Sequence, residues 1–460
     1  MRSLRDTTHA LDSGIAAIRH QHDVPAEFPA EVLAAAEAAA RREPTEHVDR
    51  TDVPFVTLDP EHSTDLDQAF SIAVAGDDLL LQYAIADVGW FVHDGDLVDA
   101  EAWRRGMTVY LPDGKEGLYP PVLSEAAASL LPDGPRPAVV FHVRLSPDGS
   151  ATLDGAERAI IRSRAKLAYE HATSTDLPAG FDEFARRMGA AEVRRGAAPV
   201  DPPEQVVERN THGYRLSFRP RLPTESANAA LSLATNMAVA DALLAAHTGL
   251  FRVMPDPDAR AVKRLRHTAH AFGLSWPKDV ALEDYARSLD ANDPRQAAFM
   301  LMVRRAGGGA SYVPYVEGST PWHSAVAATY AHATAPLRRL ADRYTVLATL
   351  AVANGQPVPE AVLAAFERLP PTMARAASKA GQIDREVIDL AEAVMLQGHE
   401  GHTYAAVVVE DDDEVSKVQL VDVAVVAKVT AHGLHPGDEC RVKLISADPA
   451  RREVHFERVA

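Results

Sequence analysis

The chain has 460 residues, of which 47% are hydrophobic, and it carries a formal net charge of −18 at pH 7. A chain of this length exceeds one typical core, so we expect more than one domain. The single cysteine, Cys440, excludes a disulfide framework and a thiolate zinc cluster. The N-terminus has no apolar run behind its charges, and no stretch reads as apolar enough to cross a bilayer. These features predict a soluble, cytoplasmic protein with no membrane partner.

Residues 1–45 are predicted to form a short helical segment. Ala30 to Arg42 is rich in alanine, the strongest helix former. Pro25 and Pro29 precede this run as helix start signals. No residue pattern in the segment points to chemistry, so a small helical module and a plain linker both fit.

The most informative segment follows an apolar strand predicted at Phe55–Leu58. It places Asp59, Asp65 and Asp67 within a few residues of one another. Carboxylates at this density repel unless a positive charge lies among them, and oxygen ligands favour Mg²⁺, Mn²⁺ or Ca²⁺. Asp65 and Asp67 are two apart, which puts both side chains on one face of an extended segment. The segment therefore predicts a hard-cation site that handles phosphates, although a solvated acidic loop has the same pattern, because Asp-x-Asp alone is weak.

The middle of the chain mixes strands and helices. Short apolar strands are predicted at Ala69–Val74, Leu79–Ala86 and Ala138–Leu145. Helical spacing of Ala, Leu and Met predicts helices at 226–250, 293–306, 337–354 and 373–396. We therefore expect an α+β protein.

The last sixty residues change to short alternating strands. Strands are predicted at Tyr404–Val409, Ser416–Val421, Val423–Val429, Cys440–Ile445 and Glu453–Glu457. Five short strands suit a small closed barrel such as the OB-fold. OB-folds often bind single-stranded nucleic acid, but they also have other uses.

Local clusters of basic residues stand against the acidic average charge. That average argues against a nucleic-acid partner, but a binding channel needs only a local positive lining. The clusters are Arg104 and Arg105; Arg194 and Arg195; Arg209, Arg215, Arg219 and Arg221; Lys263, Arg264 and Arg266; Arg304 and Arg305; and Arg338, Arg339 and Arg343. Each cluster alone fits a solvated face, and together they leave room for a positive channel.

Several motifs occur in a fixed order along the chain. They are the acidic segment, Ala84-Ile85-Ala86-Asp87-Val88, Val109-Tyr110-Leu111-Pro112, Tyr119-Pro120-Pro121-Val122-Leu123-Ser124, Ser129-Leu130-Leu131-Pro132, and Tyr330-Ala331-His332-Ala333-Thr334-Ala335-Pro336-Leu337-Arg338-Arg339. This set resembles the catalytic (RNB) domain of the ribonuclease II family, over residues 46–396. Residues 397–460 resemble the OB-fold barrel that follows this domain in the family.

The resemblance implies a processive 3′-to-5′ exoribonuclease. Such an enzyme hydrolyses single-stranded RNA to nucleoside 5′-monophosphates in a Mg²⁺-dependent reaction, and Mn²⁺ is a possible substitute. By motif position, the family's acidic metal site falls on Asp59, Asp65, Asp67 and Gln68. Asp67 and Arg338 take the catalytic positions, and Tyr110, Arg338 and Arg339 those that contact RNA. Without the family, Tyr110 fits an ordinary strand aromatic, and Arg338 and Arg339 fit surface charges.

Two positions depart from the family pattern. Gln68 stands where well-known members carry aspartate, so the site loses one negative charge. Ala229 and Ala230 stand where members often carry paired glutamates before the asparagine that matches Asn236. A second hypothesis is therefore an RNA-binding protein of the same fold with impaired catalysis. A third is a metal hydrolase that acts on another phosphodiester.

Overall fold

The structure is a computed structural model that describes residues 9–25, 27–197, 202–210, 213–219, 221–291, 293–410, 416–421, 423–430, 434 and 437–459. Its helices are α1 Ala10–Gln21, α2 Ala30–Ala40, α3 Val88–Phe91, α4 Leu97–Arg105, α5 Phe181–Arg195, α6 Pro223–Ala245, α7 Ala259–Ala271, α8 Leu282–Arg287, α9 Pro294–Ala306, α10 Leu340–Ala353 and α11 Glu360–Leu396. A single π-helical turn spans Leu123–Ala127.

The strands of the first half are β1 Val48–Asp49, β2 Phe55–Asp59, β3 Gln68–Ala75, β4 Asp78–Ala86, β5 Val109–Leu111, β6 Gly114–Glu116, β7 Arg136–Leu145, β8 Ala151–Ile161 and β9 Ser163–Ala168. Those of the second half are β10 Glu204–Asn210, β11 Gly213–Arg219, β12 Leu250–Val253, β13 Ser311–Pro314, β14 Trp322–His323, β15 Ala328–Thr329, β16 Thr403–Glu410, β17 Ser416–Leu420, β18 Val426–Thr430, β19 Glu439–Asp448 and β20 Glu453–Val459.

A seven-stranded mixed sheet forms the centre of the larger core, in the order β1-β8-β7-β4-β3-β2-β9. Strand β2 pairs antiparallel with β3 and parallel with β9. Its residues Phe55 to Leu58 are all buried, as expected for a strand covered on both faces. The main chain therefore delivers Asp59 at a fixed point, where the strand leaves the core.

The C-terminal strands form a closed five-stranded barrel, in the order β16-β17-β18-β20-β19. Val408, Val418, Leu444 and Phe456 are fully buried inside it. Alternating apolar positions produce this core because successive strand residues point to opposite faces. The structure confirms the α+β class and the C-terminal barrel.

The two N-terminal helices join different parts of the protein. Leu11, Ile15 and Ile18 of α1 pack in one cluster with the end of α11 and the barrel. Val32 and Ala36 of α2 belong to the larger core around the sheet. Among the described residues of 1–45, α1 and α2 are helical, while the segment as a module and the domain boundaries at 45 and 396 stay predictions.

Helix α11 begins at Glu360, thirteen residues before the predicted start at 373, and it contains Pro370 and Pro371. Proline inside a helix removes a backbone hydrogen bond and usually kinks or breaks it. Phe366 and Leu369 before them and Met373 after them are all buried in the core. Tertiary packing therefore outweighs the local preference against proline.

The prediction that no stretch of the chain is apolar enough to cross a bilayer needs correction. Helix α6 is long and apolar enough, by length and composition, to cross a membrane. More than half of its apolar window is buried within the protein, which is how the core helix of a globular domain passes the same test. Its apolarity is explained by packing against α5, α10 and β8.

Candidate active site

Asp67 joins the acidic segment to the Pro336-Leu337-Arg338 segment, although the two lie 270 residues apart. Its side chain is buried, with 5% of the residue exposed. One carboxylate oxygen accepts a hydrogen bond from the Leu337 backbone N–H at 2.7 Å. The other lies 3.3 Å from Nε of Arg338. The predicted catalytic pair Asp67 and Arg338 is thus brought into direct contact.

The loop that carries Asp67 is fixed by two hydrogen bonds to the backbone of Leu66. The Ser129 hydroxyl accepts from the Leu66 N–H at 2.9 Å, and the Leu130 N–H donates to the Leu66 carbonyl at 3.0 Å. These bonds come from the Ser129-Leu130-Leu131-Pro132 motif. They explain how an acidic segment with no regular structure holds a fixed position.

Asp59 and Asp67 form a coupled carboxylate pair. Burial raises the pKa of Asp59 to about 7, and the charge of Asp67 adds to the rise. Burial likewise raises the pKa of Asp67 to about 7, although Arg338 and the Leu337 N–H oppose it. Positive charge that enters the site would favour the ionised form of both carboxylates.

Asp65 is paired with a cation that the sequence analysis missed. Lys115 Nζ lies 2.6 Å from one oxygen of Asp65 and 3.2 Å from Glu125. The Tyr110 hydroxyl donates to the other oxygen of Asp65 at 3.4 Å. Tyr110 and Lys115 are cross-strand partners in the β5–β6 hairpin. A lone lysine near a turn has no pattern that would have identified it.

Tyr110 is accessible, with 49% of the residue exposed. Its strand begins beside Arg338, because the Thr108 N–H donates to the Arg338 carbonyl at 3.0 Å. Tyr110 and Arg338 therefore lie on adjoining pieces of backbone. An exposed aromatic ring at this place can stack on a base.

The Gln68 side chain makes hydrogen bonds to β4 and to the segment before Arg338. Its amide nitrogen donates to the Thr334 carbonyl at 2.5 Å, and its side-chain oxygen accepts from the Tyr83 hydroxyl at 2.8 Å. At this position, where well-known family members carry aspartate, a neutral side chain thus connects β4 to the segment that leads from Thr334 to Arg338. Its role as a metal ligand stays a prediction.

Arg339 is held by an acidic partner. Its guanidinium makes two hydrogen bonds to Asp342, at 3.0 and 2.8 Å. Asp342 is fully buried and also accepts from the Ala335 N–H at 2.8 Å. This pair fixes the loop before α10, and direct contact of Arg339 with RNA stays a prediction.

A cavity of about 460 Å³ opens beside these residues. It is lined by arginines from three of the predicted basic clusters, namely Arg219, Arg221, Arg304, Arg338 and Arg339, with Glu204 and Glu225. Ala229 and Asn236 of α6 form part of its wall. The cavity is therefore locally basic on an acidic protein, which suits a polyanion.

Asn228 is a further wall residue that the sequence analysis missed. Its amide donates to the Tyr169 hydroxyl at 2.9 Å and to the Leu58 carbonyl at 3.3 Å. Leu58 directly precedes Asp59, so this contact supports the end of β2. Only the fold brings Asn228 to this position.

The oxygen donors of the site suit a divalent cation. Among the residues that the structure describes, no three His, Cys, Asp or Glu side chains converge as a ready-made metal cluster. Asp59, which is partly buried, and Asp67, which is buried, supply two carboxylates, while Asp65 is paired with Lys115. Mg²⁺ commonly binds through one or two carboxylates, with waters and substrate phosphates completing its octahedron. The residues present fit that mode of binding.

The chain is similar to known proteins over most of its length. The family model described as "RNB domain" matches residues 47–352, and the model described as "RNase II-type exonuclease C-terminal S1 domain" matches residues 402–459. Ribonuclease R of Aquifex aeolicus is 25% identical over 96% of this chain and 70% of its own length.

Two further proteins are similar to this chain. The structure of Mycoplasma genitalium RNase R in complex with ribose methylated single-stranded RNA superposes with a TM-score of 0.85 at 19% identity, covering 98% of this chain and 78% of that one. At that identity the likeness shows the fold alone. A protein named inactive exonuclease DIS3L2, from Arabidopsis thaliana, is 27% identical over 72% of this chain and 36% of its own length. Because the RNB-domain model matches more than half of its length, the chain belongs to the RNB family of ribonuclease II-type proteins.

Proposed function

We propose that this protein is a Mg²⁺-dependent hydrolytic exoribonuclease that shortens single-stranded RNA from its 3′ end. The observation that carries the proposal is the contact of Asp67 with Leu337 and Arg338 at the edge of the arginine-lined cavity. Contact of a buried carboxylate with an arginine beside an anion-binding cavity suits phosphodiester chemistry. Processive action, release of nucleoside 5′-monophosphates and a cytoplasmic location are parts of the same proposal.

Asp59 and Asp67 are the residues that would hold Mg²⁺, with Mn²⁺ as an alternative. The ion, when bound, supplies Lewis-acid stabilisation and an activated water. Asp67 also orients Arg338 through the contact between Nε and the carboxylate. The guanidinium of Arg338, with 45% of its side chain exposed, faces the negative charge that develops on the phosphorus centre.

The remaining residues bind and position the RNA. Tyr110 offers a stacking surface for a base near the site, worth ~1–3 kcal/mol without sequence preference. The cavity arginines neutralise the backbone phosphates, so affinity is expected to fall steeply with salt. Stacking and phosphate contacts together allow RNA of any sequence to be degraded.

The second candidate is an RNA-binding protein of the same fold with impaired catalysis. It is favoured by Gln68, whose neutral side chain replaces an expected carboxylate. A relative named as inactive shows that proteins of this kind without catalysis exist, although an equally similar relative is named DIS3-like exonuclease 2. A metal hydrolase acting on another phosphodiester is the third candidate.

One assay separates the three candidates. Single-stranded RNA with a 5′ label is incubated with the protein, with Mg²⁺ or with a chelator. Progressive shortening in Mg²⁺ alone supports the exoribonuclease, and retention without shortening supports the binding protein. Equal cleavage of DNA and RNA would favour the third candidate.

The matched variants are Asp67→Asn and Asp182→Asn. Asp67→Asn keeps the shape of the side chain but removes its charge, so turnover is expected to disappear while RNA binding survives. Asp182 is exposed on α5, and its change should alter neither property. Loss of RNA binding in Asp67→Asn alone would contradict the division of roles between the acidic residues and the cavity.

A further inference from the structure

Lys115 is the middle residue of β6 and lies outside the motifs that carry the family resemblance. Its ammonium group lies 2.6 Å from Asp65, 3.2 Å from Glu125 and 3.3 Å from the Thr64 hydroxyl. The side chains of Lys115 and Asp65 are only 21% and 11% exposed. An ion pair so shielded from water interacts more strongly than a fully exposed surface pair.

The hairpin that carries Lys115 is fixed from outside the site. Arg19 of α1 donates to Asp113 in the hairpin turn at 2.9 Å and also contacts Glu116 of β6. The other strand is anchored by the Thr108 N–H on the Arg338 carbonyl at 3.0 Å. The ammonium group is therefore placed before any ion or RNA arrives, which avoids an ordering cost on binding.

The charges around the site show what this placement does. Asp59, Asp65 and Asp67 have acidic side chains, Gln68 is neutral, and Arg338 is a cation in contact with Asp67. Asp65 adds unfavourable charge to both Asp59 and Asp67. A cation on Asp65 reduces the negative potential that the other two carboxylates present to a divalent ion.

We propose that Lys115 is a positioning residue that neutralises Asp65 and thereby sets the affinity of the Asp59–Asp67 pair for divalent cations. The inference rests on the proposed function, because it concerns the same site. It assigns Asp65 to the ammonium of Lys115 and leaves the metal ion to Asp59 and Asp67. The absence of a carboxylate at position 68 and the presence of an ammonium at position 115 then act in the same direction, towards a less negative site.

The test measures Mn²⁺ binding to the RNA-free protein by electron paramagnetic resonance at low ionic strength. Lys115→Met leaves Asp65 and Glu125 without their cation, so Mn²⁺ should bind about tenfold more tightly than to the wild type. Lys115→Arg keeps the charge and should bind Mn²⁺ as the wild type does. Lys428→Met removes the same charge from an exposed position on the barrel and should change nothing.

A double variant tests the route through Asp65. In an Asp65→Asn background, Lys115→Met should tighten Mn²⁺ binding far less than it does in the wild type, because the carboxylate that Lys115 neutralises is gone. Lys115→Gln repeats the experiment with a polar side chain if methionine disturbs the hairpin, with circular dichroism as the folding control. Unchanged or weaker Mn²⁺ binding in a folded Lys115 variant would overturn the inference.

These measurements need neither RNA nor turnover. If the protein proved unable to degrade RNA while Lys115→Met still tightened Mn²⁺ binding, the proposed function would fail and the role of Lys115 would stand. If the protein degraded RNA but Lys115→Met left the Mn²⁺ affinity unchanged, the proposed function would stand and the role of Lys115 would fail.

Discussion

Arg338→Ala tests the reaction centre most directly. The side chain is 45% exposed and makes its one described ion pair with Asp67, at 3.3 Å. Removing it should cost little folding stability, about 0.5 kcal/mol or less, because no buried apolar contact is lost. A preorganised cation that faces developing charge is worth about 3–4 kcal/mol, so kcat should fall by about 10²–10³.

The same change should move the pKa of Asp67. Burial raises that pKa to about 7, and Arg338 is the strongest influence that lowers it. An opposite charge commonly lowers a carboxyl pKa by about 1–3 units, and partial exposure of Arg338 favours the lower end. Its loss should therefore raise the pKa of Asp67 by about one unit. NMR titration of the carboxyl carbons in the metal-free protein would measure the change.

Turnover is measured with a 5′-labelled RNA strand under single-turnover conditions at saturating Mg²⁺. Arg186→Ala, at an exposed position on α5, is the control for loss of one arginine. Arg338→Lys keeps the charge but not the planar geometry, and an intermediate rate is expected. A rate for Arg338→Ala within threefold of the wild type, or an Asp67 pKa that does not rise, would refute the assigned role.

Two further predictions concern Tyr110 and Glu392. Tyr110→Ala removes an exposed ring beside the site, so the length of the final undigested RNA fragment should change. A sequencing gel measures this length. An unchanged end product would mean that the ring has only a structural role. Glu392 is 3% exposed, accepts from Gln205 at 2.6 Å and from the Val426 N–H at 2.8 Å, and burial raises its pKa to about 8. Because that pKa exceeds the unfolded value, the folded state binds the extra proton, and this stabilisation is lost as pH rises from about 4.5 through about 8. Glu392→Gln stays neutral, so its free energy of unfolding from urea melts should exceed that of the wild type by about 1–2 kcal/mol at pH 9 and equal it at pH 5. An equal difference at both pH values would contradict this reasoning.

Much of the fold could be predicted from local pattern. The buried strand before Asp59 was predicted at 55–58 and lies at Phe55–Asp59, and the five barrel strands follow their alternating residues. Such patterns are reliable because the period of a strand and the burial of one face are local properties. The start of α11 was missed because the stabilising contacts of Phe366 and Leu369 are made with distant parts of the chain.

The candidate site was less accessible to such reasoning. The acidic spacing indicated a cation site, but nothing local connects Asp67 with Arg338 across 270 intervening positions. The family resemblance supplied that pairing. It did not supply Lys115, because only the folded β5–β6 hairpin brings the ammonium of this single lysine to Asp65.

Helix α1 has a consequence for how the protein is handled in the laboratory. This 12-residue helix contacts the Tyr110 hairpin through Arg19 and the barrel through a hydrogen bond from Arg452 to Gln21. It thus acts as a brace between the two regions that would meet an RNA strand. Trimming the gene to the matched domains would discard that brace, so lost activity in a shortened version would say nothing about Asp59 or Asp67.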